Sequence, residues 1–256
     1  MSARPLRVGI IAGVIVVAVT VAARLPPIPQ DPAYHAFADT RSVGAIPNFW
    51  NVVSNVGFVA VGLAGLAWFG GAGRRLERSL RDGWERTAGM VFAAGVALIG
   101  VGSAYYHWAP DNDRLVWDRL PMTLVFMSLF ALAVGDRIGT AAGRWLLAPL
   151  LVLGPASVFV WHVGEQAGHG DLRLYGLVQF LPMLLIPLLL LLFPARYTGA
   201  GSWWTALGLN GVGKLTELAD RGVLAVLGVS GHTVKHVLMA IATALVLRML
   251  AVRRPR

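Results

Sequence analysis

Cysteine is absent from the 256-residue chain. That excludes disulfides and every thiolate metal site, so any metal must be held by His, Asp or Glu. Lysine is almost absent too, with only Lys214 and Lys235. Charged residues make up 14% of the chain, where an ordinary soluble domain carries about 25%. There is no block of six like charges to serve as a nucleic-acid tail, no internal repeat and no long linker. A soluble globule and a nucleic-acid partner are thereby excluded. What the chain has instead is apolar sequence: 56% hydrophobic residues and a mean hydropathy of +0.65.

The apolar residues fall into eight blocks, at 8–23, 49–70, 88–108, 117–135, 145–162, 174–193, 203–220 and 233–252. A transmembrane helix needs roughly 20 residues, so eight such blocks leave room only for short loops. The seventh block is the weakest, because Lys214, Glu217 and Asp220 interrupt it. We therefore expect an all-α integral membrane protein, a seven-helix transmembrane bundle over residues 25–256 preceded by one extra N-terminal helix in 1–24. The short first block, with Val21-Ala22-Ala23 at its end, also fits a signal peptide. Arginine placement suggests the orientation. With the N-terminus inside, fourteen arginines fall on the cytoplasmic side and six opposite, as the positive-inside rule expects. The net charge of +9 is then mostly a topology signal, with both termini cytoplasmic if the first helix is retained.

In this topology the polar residues of interest reach one membrane depth on the outer side. The third block ends in Gly102-Ser103-Ala104-Tyr105-Tyr106-His107, the fourth opens with Trp117-Asp118-Arg119, and the last opens with Gly231-His232-Thr233-Val234-Lys235-His236. Residues four apart share a helix face about 6 Å apart along the axis, so His232 and His236 can bind one ion, and Ser103 lies one turn deeper than His107. Pro110-Asp111-Asn112-Asp113 is a turn signal that brings Asp118 back to this level, and Gly100, Gly102 and Ser103 permit close helix approach. Three histidines with an open position form a catalytic zinc pattern. A carboxylate within reach of the activated water serves as general base, and a hydroxyl can donate to an oxyanion. The set Ser103, His107, Asp118, His232 and His236 thus assembles a metal-dependent amide or ester hydrolase. Taken singly, Ser103 equally suits helix packing, and Asp118 a helix cap or a partner for Arg119. Of the remaining groups, His162, Glu165, His169 and Asp171 are expected in a solvated loop. Lys214, Glu217 and Arg221 are expected as an ion-pair ladder with Asp220 beside them, and Tyr34 and His35 as interfacial residues.

At three stretches the sequence resembles the alkaline ceramidase (phytoceramidase) family in its bacterial form. These are Tyr34-His35-Ala36-Phe37-Ala38-Asp39 through Ile46-Pro47-Asn48-Phe49-Trp50-Asn51-Val52-Val53-Ser54-Asn55, the Ser103–His107 and Leu115–Met122 pair, and Ser230–His236. The resemblance implies a seven-helix zinc amidase that cleaves ceramide, a membrane lipid, to a sphingoid base and a fatty acid. His107, His232 and His236 would bind zinc, Asp118 would position or deprotonate the water, and Ser103 would stabilise the oxyanion. Animal members also bind calcium before the first core helix. The present chain departs there: Asn48 stands where a Glu would align, and the acidic cluster is reduced to Asp31 and Asp39, leaving Asp39 and Asn48 as the calcium candidates. The wider superfamily includes adiponectin-receptor and haemolysin-like proteins, so the alternatives are a receptor- or haemolysin-like membrane protein with structural zinc, or a zinc hydrolase of another lipid. A transporter would show inverted repeats and broken midplane helices, and a retinal protein would need a lysine deeper than Lys235.

Overall fold

Every apolar block is helical, and polar side chains cap several of the helix starts. Residues 4–71 and 79–256 are described in this computed structural model; Arg74, Arg75 and Arg78 of the arginine tally lie outside them. The helices are α1 (Arg4–Arg24), α2 (Phe49–Val53), α3 (Val56–Gly70), α4 (Gly83–Trp108), α5 (Asn112–Arg137), α6 (Thr140–Gln166), α7 (Arg173–Leu192), α8 (Ala200–Leu218), α9 (Asp220–Leu227) and α10 (Gly231–Val252). A 3-10 turn spans Pro32–His35, and no strand occurs among the described residues. Counting α2 and α3 as one span, seven of these helices are long and apolar enough to cross a membrane. The chain is an all-α bundle of the membrane type. α8 falls outside the seven, because Asn210, Lys214 and Glu217 lower its hydropathy.

Three helices start earlier than their apolar blocks with side-chain caps at their beginnings. At the start of α4 the Glu85 carboxylate accepts the Arg81 and Asp82 backbone N–H groups. At α5 the Asp111 carboxylate accepts the Arg114 N–H, and at α10 the Ser230 hydroxyl accepts the Thr233 N–H. Such side chains satisfy donors that a helix N-terminus leaves orphaned. Asp118 is therefore not a cap; it lies in the second turn of α5, with its helix already under way.

The core ring runs α3, α4, α5, α7, α8 and α10, with α10 closing back against α3. α6 packs outside α5, and α1 lies peripherally against α7, with Ile11 as its one buried residue. In lipid, helices associate through close packing of small residues rather than through a hydrophobic driving force. Gly102 on α4 faces the Trp117 backbone carbonyl of α5, and Gly231 on α10 faces the Thr216 carbonyl of α8. A Cβ at either position would collide with backbone. These two contacts bring the Ser103–His107 turn beside Asp118 and set the depth of the α10 histidines.

Two expectations need correction. The loop expected from residue 162 is helical to Gln166, so His162 and Glu165 sit on α6. The helix persists because Glu165 is anchored within the fold, accepting the Trp161 Nε1–H and the Gln30 backbone N–H. Asp220 does not end the seventh block but opens the separate helix α9. Its carboxylate accepts the backbone N–H groups of His232 and Ala38, joining the start of α10 to the segment before α2.

Candidate metal centre

His107 from the end of α4 and His232 and His236 from the first turns of α10 form a buried triangle. One ligand nitrogen from each lies within 4.8 Å of the others, and all three rings are nearly inaccessible. The ring centroids stand 4.7–5.0 Å apart. The Nε2 atoms of His107 and His232 are 3.1 Å apart. Neutral imidazole offers one N–H and one lone pair, so converging nitrogens at this spacing need a proton or a cation between them. A neutral N–H···N hydrogen bond joins two such rings without charging either, whereas a metal ion takes the lone pairs of all three neutral rings at once.

The surroundings fit that use. His236 Nδ1 lies 2.8 Å from Ser54 Oγ, and the Ser54 hydroxyl in turn reaches the Asn51 carbonyl at 3.2 Å. If Ser54 donates to Asn51, His236 Nδ1–H donates to Ser54, which leaves Nε2 free to ligate. Metal-binding histidines usually carry such an outer partner. His232 Nδ1 lies 3.4 Å from Glu217. Among the described residues the Nδ1 of His107 is buried without a hydrogen-bond partner. The three residues can hold a metal ion. For Ser54→Ala we expect metal affinity to fall by roughly 10–100-fold with the helical fold retained, measured by competition with a chromophoric chelator.

A strap formed by residues 25–48 covers this end of the bundle and was not anticipated as part of the site. Arg119 donates to Gln30 Oε1 at 2.6 Å while its guanidinium lies over the rings of Trp161 and Tyr175. It is thus engaged by the strap and by aromatic faces rather than by Asp118. His35, expected to be interfacial, joins the Tyr106 hydroxyl at 2.9 Å and Asn112 at 3.0 Å. These anchors hold Phe37 over the triangle, its ring 4.6 Å from both His107 and His232. Phe37 excludes water from that side. Asn51 is the other hub, its carbonyl accepting from Ser230 and Thr233 while its amide donates to the Asp39 carbonyl. Both residues stand in quoted sequence stretches, but nothing in their spacing marked their partners, which lie far away in sequence.

Ser103 and Asp118 line one cavity together with His236. The cavity encloses about 160 Å³ between α3, α4, α5, α7, α8 and α10, with walls formed largely by residues such as Phe58, Phe92, Phe126 and Ile186. It has room for an alkyl chain rather than a lone water. The other expected residues are occupied elsewhere. Asp39 is buried and paired with Arg41 through both oxygens, at 2.8 and 2.6 Å, and that guanidinium holds its carboxyl below the usual carboxylate range. Asn48 turns its amide donor to the His107 carbonyl at 2.8 Å. With Arg41 already on Asp39 and only a neutral amide oxygen left on Asn48, these two residues offer a calcium ion no free carboxylate. In the ion-pair ladder the second cation on Glu217 is Lys235, not Arg221, because α10 lies against α8 there.

Set beside known proteins, the chain matches no family model and no curated sequence. The conclusion at this point rests on geometry alone: a membrane-type helical bundle with a buried three-histidine site, suited to a metal ion, at the edge of an apolar cavity.

Proposed function

We propose that this protein is an integral-membrane, zinc-dependent amidase that hydrolyses the N-acyl bond of a ceramide-like lipid to a sphingoid base and a fatty acid. The observation that carries this is the meeting of the histidine triangle, through His236, with an apolar cavity whose wall also presents Asp118 and Ser103. An all-nitrogen set of three buried imidazoles suits zinc and leaves a coordination position open. When bound, zinc supplies Lewis acidity and a water that ionises near neutral pH.

The chain's own residues then have definite tasks. The acyl chain lies among Phe58, Phe92, Phe126 and Ile186, which places the amide carbonyl at the polar end of the cavity. Asp118 takes a proton from the attacking water on a carboxylate oxygen. It returns that proton to the nitrogen as the C–N bond breaks, so that the amine leaves neutral. Ser103 donates its hydroxyl hydrogen to the carbonyl oxygen as negative charge develops there. Phe37 keeps bulk water off the histidines. α7 and α8 touch only sparsely although both wall the cavity, which supports lateral entry of a long-chain lipid. The arginine bias supports an extracytoplasmic position for the site.

Metal analysis of the purified protein, run beside fatty-acid release from a panel of ceramides, simple N-acyl amides and lipid esters, tests this. We expect about one zinc per chain, release from amides, loss of release on chelation and recovery on adding zinc. Zinc-loaded protein that releases no fatty acid from any amide would overturn it.

A further inference from the structure

The two lysines of the chain are both placed at the polar end of the cavity. Lys214 and Lys235 line it from α8 and α10, in company with Asp118 and His236. A single carboxylate serves both ammonium groups: Glu217 Oε2 lies 2.8 Å from Lys214 Nζ, and Glu217 Oε1 pairs with Lys235. Glu217 itself does not line the cavity. Lys235 Nζ also stands 3.3 Å from His232 Nε2, beside the metal triangle. With Asp118 these charges balance formally, and a divalent ion on the histidines tips the set positive. Excess charge beside apolar walls is costly unless a counter-charge arrives. A substrate with a neutral head group brings none, and two lysines are a heavy investment for a chain this poor in them.

We propose that Lys214 and Lys235 form an anion subsite, and that the preferred substrate is a long-chain N-acyl lipid carrying a negative group, such as a carboxylate, next to the cleaved amide. This rests on the amidase chemistry above and departs from its ceramide-like substrate only on the amine side, where an anionic group takes the place of the neutral sphingoid head. The acyl chain occupies the apolar cavity, the amide carbonyl faces Ser103, and the anion on the amine side meets the two ammonium groups. Glu217 holds both lysines in place and leaves each with N–H donors to spare.

Kinetics and binding together test this on the zinc-loaded full chain. N-dodecanoylglycine is compared with its methyl ester, which keeps the amide and removes the charge. We expect wild-type kcat/KM for amide cleavage to favour the acid by at least tenfold, and Lys214→Gln to cut that ratio about tenfold with zinc content unchanged. Equal rates for the acid and the ester, or an equal loss of both in Lys214→Gln, would overturn the subsite. Calorimetry with dodecanoate and dodecanol gives a readout that needs no turnover. Because a carboxylate can also ligate a metal, the wild-type-to-variant difference is what reads the lysine, and we expect Lys214→Gln to weaken dodecanoate at least fivefold more than dodecanol. If neither amide is cleaved but this binding difference persists, the anionic substrate class fails and the anion subsite stands, while release from the ceramide panel decides the amidase function separately. A change in dodecanoate inhibition with no change in the kinetic ratio would reduce the lysines to product capture and overturn the substrate class.

Discussion

Asp118→Asn is expected to lower amide hydrolysis by about 10³-fold while leaving zinc content and the helical fold intact. The size follows from the role: proton transfer by a positioned side chain contributes typically 10²–10⁴-fold. The asparagine is nearly isosteric, keeps a polar atom toward Ser103, and removes only the ability to accept the proton from water and hand it to the leaving nitrogen. Asp118 is not one of the triangle's ligands, so the metal should stay. Fatty-acid release under single-turnover conditions, paired with metal analysis, makes the measurement. It also separates an enzyme from a receptor- or haemolysin-like protein with a structural metal, because a structural site has no use for a carboxylate on the wall of the adjoining cavity. Unchanged turnover in Asp118→Asn would remove the general base from the proposed mechanism.

The second large effect is expected at the metal itself. His236→Ala removes one of three ligands and should take zinc stoichiometry from about one per chain to near zero, with activity falling by roughly 10³–10⁴-fold, since a catalytic metal is worth several kcal/mol and each 1.36 kcal/mol is tenfold in rate. The same variant takes the His236 ring from the Ser54 hydroxyl, which it faces at 2.8 Å, and leaves that hydroxyl only the Asn51 carbonyl, so some loss of thermal stability should accompany it. His236→Gln, which retains a polar group toward Ser54, distinguishes loss of the metal from loss of the fold. Inactive, metal-free but folded His236→Gln protein is the expected result. Full zinc occupancy in either variant would dismiss the triangle as the binding site.

Much of this was legible in the chain itself, and the reasons are physical. Apolar blocks of membrane-spanning length have few alternatives to helix, because a bilayer offers no partner for unpaired backbone groups. The seventh of the eight blocks already read as the weakest, and α8 is the helix of that block, not apolar enough to be counted among the seven and packed closely against α10. The four-residue spacing of His232 and His236, and of Ser103 and His107, could be read from helix periodicity. The close approaches at Gly102 and Gly231 then bring those turns together. Glu165 and Asp220 misled because their value lies in hydrogen bonds to Gln30, Ala38 and His232, residues distant in sequence or across a turn, and no local pattern encodes such partners. The ladder at Glu217 kept its Lys214 rung and lost the one expected from Arg221, because the helix breaks between them and Lys235 reaches Glu217 from α10.

The scarcity of cysteine and lysine had consequences that the structure made specific. By itself the sequence determined an all-helical membrane-type chain and three histidines on helix ends as the available metal ligands, because hydropathy and helical periodicity are local properties of neighbouring residues. Only the tertiary structure decided that the three rings converge, that Phe37 covers them, that Arg41 takes the carboxylate a calcium ion would need, and that both lysines reach one cavity. Those outcomes depend on contacts between segments as far apart as residues 37 and 232, and such contacts exist only once the helices have packed.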